Sequence, residues 1–213
     1  MAALIESEAH PMAPFDLAAI SQQLAVDVSR LVPDSEGYSV KDYFSLDGNY
    51  LVEFVDGRLQ VLPMPNALHQ AIIRVLCNLF EQWLQRDPDA RVVMSPFKVC
   101  LNDRLYREPD VALMLGQHAS RRSSDFWRGA DLVAEVISES NRQHDVVTKM
   151  SDYARALIPE YWIIDPTALS ISAHTLIEGA YRPIGTPEIV ESRVLPGFTL
   201  NVAELFALAA KKA

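Results

Sequence analysis

Three side chains have the types and placement that metal-assisted phosphodiester hydrolysis needs: Glu135, Asp110 and Lys149. Glu135 stands inside the apolar run Leu132-Val133-Ala134-Glu135-Val136-Ile137. Apolar neighbours on both sides imply a strand buried on both faces, and a carboxylate there is costly unless its charge is compensated. The compensation is an ion pair, a proton or a bound metal. Asp110 follows Pro109 at the mouth of a second apolar strand, VALML. Alone it reads equally as a turn residue or a cap. On a strand beside Glu135 it becomes an oxygen ligand for Mg²⁺, which takes one or two carboxylates and keeps waters and substrate phosphate.

Lys149 is one of only five lysines. Val146, Met150, Tyr153 and Leu157 mark the apolar stripe of its helix. At ~100° per residue Lys149 lies about 60° from that stripe, and Asp145 one turn earlier can pair with it. It is either a boundary lysine in a surface pair or an ammonium that stabilises the attacking hydroxide or the pentacovalent phosphate. Glu53 is a surface glutamate on an edge strand, or a further metal ligand or supporting acid if the helix at 66–86 covers its face. His69 reads as a capping or packing histidine, and Tyr153 and Trp162 as core. The segment with Arg121, Arg122, Phe126, Trp127 and Arg128 mixes bases with aromatics. It is a solvated loop or subunit contact, or a loop that touches phosphates and bases.

The elements that must position these groups follow from periodicity. Leu17, Ile20, Leu24 and Val28 predict a helix over 15–31, ended by Pro33. A short helix at SVKDYF is capped by Ser39. NYLVEFVDGRLQVLP is a hairpin about Asp56-Gly57, which sets Glu53 opposite Gln60. Residues 66–86 form a long helix with Ile72, Leu76, Leu79, Phe80 and Trp83 buried and Asn66 as cap. Strands follow near 91–101 and 109–115, then a polar loop, a strand at 131–138, a helix at 141–157 and a strand at 161–165. Strands near 169–176, 181–185 and 188–194 and a helix from about Val202 close the chain. This order predicts an α/β fold, a mixed sheet with helices on its faces. The strands at 131–138 and 161–165 flank a helix and are expected to be parallel and central.

The 213 residues, 49% hydrophobic, suffice for one domain with a real core. No run is long enough to span a membrane, the N-terminus lacks the pattern of a signal peptide, and Cys77 and Cys100 lack metal-ligand spacing. A cytoplasmic protein with reduced cysteines is expected. The net charge of −9 argues against broad nonspecific nucleic-acid binding. The charge is uneven: residues 1–64 hold ten acids and three bases, residues 98–128 four acids and six bases. The phosphate-cradling and nucleophile-elbow glycine motifs are missing.

The VEFVDGRL hairpin, the NALHQ helix start, the Pro109-Asp110 pair, AEVISESNRQHDVVTKMSDYARALIPEYWIIDP and the terminal LPGFTLNVAELF resemble the Uma-two family of endonucleases. That family is a branch of the restriction-endonuclease-like PD-(D/E)XK superfamily. The resemblance spans roughly residues 38–207 and implies a nuclease domain over 38–213 behind an N-terminal extension, 1–37. It makes Asp110 the Asp of the PD element and Glu135 the acid of the (D/E)XK element. The usual lysine position holds Ile137, and Lys149 on the following helix matches the relocated lysine. Glu53 matches the acid before the hairpin turn. Glu139 departs from the family, where proline often follows the serine.

The expected protein is a Mg²⁺-dependent endonuclease, with Mn²⁺ as substitute, acting on DNA as a homodimer. Asp110 and Glu135 would hold the metal, assisted by the Val136 carbonyl or Glu53, and Lys149 would position the attacking water. The rival is a non-catalytic nuclease-fold binding or assembly module, which the acidic charge favours. A third option is a hydrolase of a small phosphorylated molecule.

Overall fold

The structure, a computed structural model, describes residues 37–46, 51–137 and 142–213, with only the backbone for 142–145. The helix expected over 15–31, Glu139 and the Asp145 side chain lie outside these residues. Tyr38 to Ala213 form one unit of the chain.

That unit runs through α1 (Val40–Phe44), β1 (Val52–Val55), β2 (Arg58–Val61), α2 (Ala67–Leu84), β3 (Arg91–Met94), β4 (Lys98–Asn102), β5 (Leu105–Arg107) and β6 (Val111–Met114). A 3₁₀ turn (Gly116–Arg121) leads to β7 (Phe126–Arg128), β8 (Leu132–Val136), α3 (Arg142–Arg155) and β9 (Glu160–Asp165). Then come β10 (Ser170–Ile177), β11 (Ala180–Ile184), β12 (Ile189–Glu191), β13 (Thr199–Asn201) and α4 (Val202–Ala210). Among the described residues no helix is long and apolar enough to cross a membrane.

Local chemistry sets the ends of these elements. Ser39 and Asp42 form a reciprocal capping box on α1, which satisfies two otherwise unpaired amides. Asn66 caps α2 by accepting from the His69 amide at 2.9 Å. At the β1–β2 turn Asp56 and Gly57 both take positive φ, 48° and 82°, as a two-residue hairpin turn matched to strand twist requires.

Six strands form one mixed sheet in the order β11-β10-β9-β8-β6-β3, with β8 and β9 parallel at its centre, as expected. Five form a second sheet, β2-β1-β5-β4-β7, and β12 and β13 make a small ribbon. The period of two along each strand divides the six-stranded sheet into two faces. Leu132, Ala134 and Val136 of β8, Val111 and Leu113 of β6, and Trp162 and Ile164 of β9 join one core with α2 and α4. Val133, Ala112, Met114, Tyr161 and Ile163 join the other, with Tyr153 and Met150 of α3 and Val99 and Trp127 of the five-stranded sheet. Glu135 and Asp110 share the parity of this second set, so both belong to the α3 face.

Three expectations need correction. The single strand expected at 91–101 is two, β3 and β4, separated by Ser95-Pro96 and lying in different sheets. The polar loop at 116–130 contains a 3₁₀ turn and a strand, β7, which pairs parallel with β4 and buries Trp127. The face of β1 that carries Glu53 is covered, but its partners are Lys149 and the Arg107–Asp152 pair from the α3 side, not residues of α2. Both cysteines are free and buried, and burial pushes the Cys77 thiol up to about 12.

Phe80 of α2 is fully buried and packs on Trp162 and Phe198. Phe80→Ala should destabilise the protein by about 3–5 kcal/mol, seen as a lower urea midpoint with an unchanged slope. A midpoint equal to that of the wild type would show that α2 does not key the sheet.

Candidate functional site

Asp110 and Glu135 meet because of strand register. β6 pairs antiparallel with β8, Val111 facing Ala134. One step further along that register sets Asp110 opposite Glu135. The Asp110 carboxylate turns back on β8, where its Oδ2 accepts from the Val136 amide at 2.7 Å. A strand residue's amide and carbonyl point to the same edge, so the Val136 carbonyl faces this side of β8 as well. The other Asp110 oxygen, Oδ1, lies 3.0 Å from His69 Nε2 at the start of α2.

α3 brings Lys149 and Tyr153, one turn apart, over Glu135. Lys149 Nζ donates to Glu135 Oε2 at 3.0 Å, and Tyr153 Oη donates to Oε1 at 2.6 Å. The same ammonium lies 3.5 Å from Glu53 Oε1. Lys149 is only 5% exposed, as is Glu135, and Glu53 is fully buried. Asp110 and His69 form the accessible side of the cluster, each side chain 16% exposed. Lys149 is therefore not the boundary residue that its helical angle suggests: the strand carrying Glu53 covers it.

Glu53 has its own support. Arg107, itself buried, donates to Glu53 Oε2 through one nitrogen and to Asp152 Oδ2 through another. The Glu108 amide donates to Glu53 Oε1 at 3.2 Å. Glu108, also buried, accepts from Tyr43 Oη and from the Val52 amide. Burial raises its carboxyl to about 7, with Lys98 opposing and Glu53 adding to the rise.

The electrostatics follow from three carboxylates around one ammonium. Burial pushes Glu135 up to about 7; Lys149 pulls it down, while Asp110 and Glu53 push it further up. Burial opposes the charge on Lys149, but Glu135, Glu53 and Asp110 outweigh it and hold its pKa above the usual lysine range. Lys149 is thus a fixed cation and a hydrogen-bond donor, not a base.

The structure brings all four sequence-predicted side chains, Asp110, Glu135, Lys149 and Glu53, into one cluster with the Val136 backbone. It adds His69, Tyr153, Arg107 and Asp152. His69 is legible in the sequence only as a helix-start histidine, and Tyr153 only as core, which its full burial bears out. Arg107 carries no local signal beyond a charge two residues before a proline.

Among the described residues no three His, Cys, Asp or Glu side chains are grouped as they would be around one ion. The oxygens available to a metal are those of two carboxylates, Asp110 and Glu135, and one carbonyl. Such hard donors suit Mg²⁺ or Mn²⁺ with retained waters. Each of the four carboxylate oxygens has a protein donor and keeps a second lone pair.

The sequence matches the Uma2 family, described as "Putative restriction endonuclease", over residues 40–203. Among solved structures, a "putative nuclease belonging to DUF820" from Anabaena variabilis ATCC 29413 matches with a TM-score of 0.67 at 16% identity, covering 80% of this chain and 98% of that one. At that identity the likeness establishes the fold. No curated protein matches the sequence.

Replacing Lys149 by Met removes the cation and leaves Glu135 and Glu53 buried side by side, at a cost of about 3–5 kcal/mol. Losing the group that lowers it also drives the Glu135 pKa higher. A carboxyl raised in the folded state, here from an ordinary value of 4.5, favours folding fully below its unfolded pKa. That contribution is lost as pH rises through the folded value. The stability deficit of Lys149→Met should therefore grow between about pH 5.5 and pH 8 in urea unfolding. An equal deficit at both would show that Lys149 does not neutralise the cluster.

Proposed function

The chain belongs to the Uma2 family, and from that premise we propose that it is a divalent-metal-dependent endonuclease that hydrolyses phosphodiester bonds in DNA. The observation that carries the reading is a buried ammonium, Lys149 Nζ, held 3.0 Å from Glu135, whose strand neighbour is Asp110. A structural ion pair needs one carboxylate. Here Lys149 also meets Glu53, and Asp110 adds a third negative charge.

In this reading Asp110, Glu135 and the Val136 carbonyl hold the ion. The chemistry such an ion would supply there is polarisation of a phosphoryl oxygen and partial neutralisation of the phosphate. Lys149 presents a fixed positive charge where the phosphate gains negative charge, a role that requires preorganisation more than mobility. Tyr153 fixes the rotamer of Glu135, and His69 fixes that of Asp110. Glu53, whose oxygens already meet Arg107, Lys149 and the Glu108 amide, serves by holding Lys149 in place. Substrate reaches the cluster from the Asp110 and His69 side. The reading includes a homodimer and a nuclease domain beginning near residue 38.

One observation favours a second reading, a nuclease-fold module that binds without cleaving. All four oxygens of Asp110 and Glu135 have protein donors, so the cluster is closed without an ion. Incubation of supercoiled plasmid and single-stranded DNA with Mg²⁺ or Mn²⁺ separates the two. The nuclease reading expects cleavage by the wild type and a loss of about 10²–10³-fold in Glu135→Gln. No cleavage of any DNA form by the wild type would favour the binding module.

A further inference from the structure

The accessible side of the cluster carries two side chains with lone pairs, Asp110 and His69. His69 is the third residue of α2, and Asn66 accepts from its amide at 2.9 Å. Ile72 and Leu76, three and seven residues on, are fully buried, so the His69 ring extends the inner face of the helix to the mouth of β6. There its Nε2 lies 3.0 Å from Asp110 Oδ1.

Holding Asp110 does not require this contact. The carboxylate is already anchored through Oδ2, which accepts from the Val136 amide at 2.7 Å. Oδ1 and Nε2 are left together on the open side, each side chain 16% exposed. The oxygens of Glu135 lie deeper, against Lys149 and Tyr153, both buried. An ion arriving from solvent therefore meets Oδ1 and Nε2 first. Their spacing suits one: adjacent ligands of an octahedral ion with bonds of ~2.1 Å stand ~3.0 Å apart. An ion can span the pair with neither side chain changing its place. It needs no third side chain at the outset, since it keeps several waters, and among the described residues none completes a group of three. Donor chemistry then bears on which ion is held. An imidazole nitrogen suits first-row transition ions, whereas Mg²⁺ is an oxygen-seeking ion that gives up water reluctantly.

We infer that His69 Nε2 is a further ligand of the ion, beside Asp110 Oδ1, and that it makes the site favour a first-row transition ion over Mg²⁺. The inference rests on the metal-dependent reading and narrows its cofactor. Ligation uses the Nε2 lone pair, so the neutral ring then carries its hydrogen on Nδ1.

The test is pulsed electron paramagnetic resonance of Mn²⁺ on the whole chain, in which a directly bound imidazole nitrogen modulates the electron-spin echo. The wild type should show ¹⁴N modulation that becomes ¹⁵N modulation when histidine alone is ¹⁵N-labelled, and His69→Gln should lose it. Glutamine can still donate to Asp110, so a residue that only held that carboxylate would leave the affinities for Mn²⁺ and Mg²⁺ in their wild-type ratio. Loss of a ligand should cost Mn²⁺ at least the ~10-fold in affinity that loss of an outer partner costs, and Mg²⁺ less, measured by calorimetry. If His69→Gln fails to fold, single His→Gln substitutions at the other four histidines assign the nitrogen by elimination, all four keeping the modulation. Bound Mn²⁺ without histidine modulation, or modulation that survives His69→Gln, would overturn the inference and leave the metal-dependent reading standing. No bound Mn²⁺ at all would overturn both.

Discussion

One ammonium group, Lys149 Nζ, sits where three carboxylates from three different strand segments converge, and the rest of the architecture answers to that placement. Glu53 comes from β1 in the five-stranded sheet, Asp110 from the start of β6 and Glu135 from β8 in the six-stranded sheet. Buried carboxylates at such spacing repel, and none is tolerable without a cation. α3 must therefore lie across its face of the six-stranded sheet at a height that sets Lys149 over Glu135, with Tyr153 one turn on. The second sheet must close over the lysine from the other side. Arg107 performs the same service for Glu53 and Asp152. Two buried cations thus tie both sheets and α3 together, and Phe80, Trp162 and Phe198 fix the opposite face of the six-stranded sheet.

Much of this is legible in the residues because it is local or periodic. A glutamate inside an apolar strand is conspicuous, and strand parity then decides its face. The Asp56-Gly57 turn fixes the register that sets Glu53 opposite Gln60. The helix, strand and capping signals near Ser39, Asn66 and Asn201 act within a few residues of themselves. What the sequence conceals depends on partners far away along the chain. Arg107 meets Glu53, 54 residues earlier, and Asp152, 45 residues later. His69 is a capped helix start until β6 delivers Asp110 to its ring. Lys149 looks like a boundary residue because helical angles describe one helix, and the covering strand belongs to another sheet. β7 reads as loop because a three-residue edge strand leaves too short a pattern to detect.

The same geometry separates what supports chemistry from what holds it. Asp110 and His69 face outward, while Glu135, Glu53 and Lys149 lie behind them, nearly sealed from solvent. A buried, oriented cation is worth more to a developing negative charge than an exposed one, because little solvent screens it. Burial is the main reason that the Glu135 carboxyl is raised; Lys149 offsets part of the rise, and Asp110 and Glu53 add to it. In the proposed reading, this cluster is where a protein of net charge −9 would engage a phosphate.

The most direct test is Mn²⁺ binding followed by electron paramagnetic resonance on the wild type, Asp110→Asn and Glu135→Gln. The account predicts one tightly held Mn²⁺ per wild-type chain, displaced by excess Mg²⁺ and lost in both variants, each of which keeps its fold by circular dichroism. Mn²⁺ held equally well by all three proteins would contradict it.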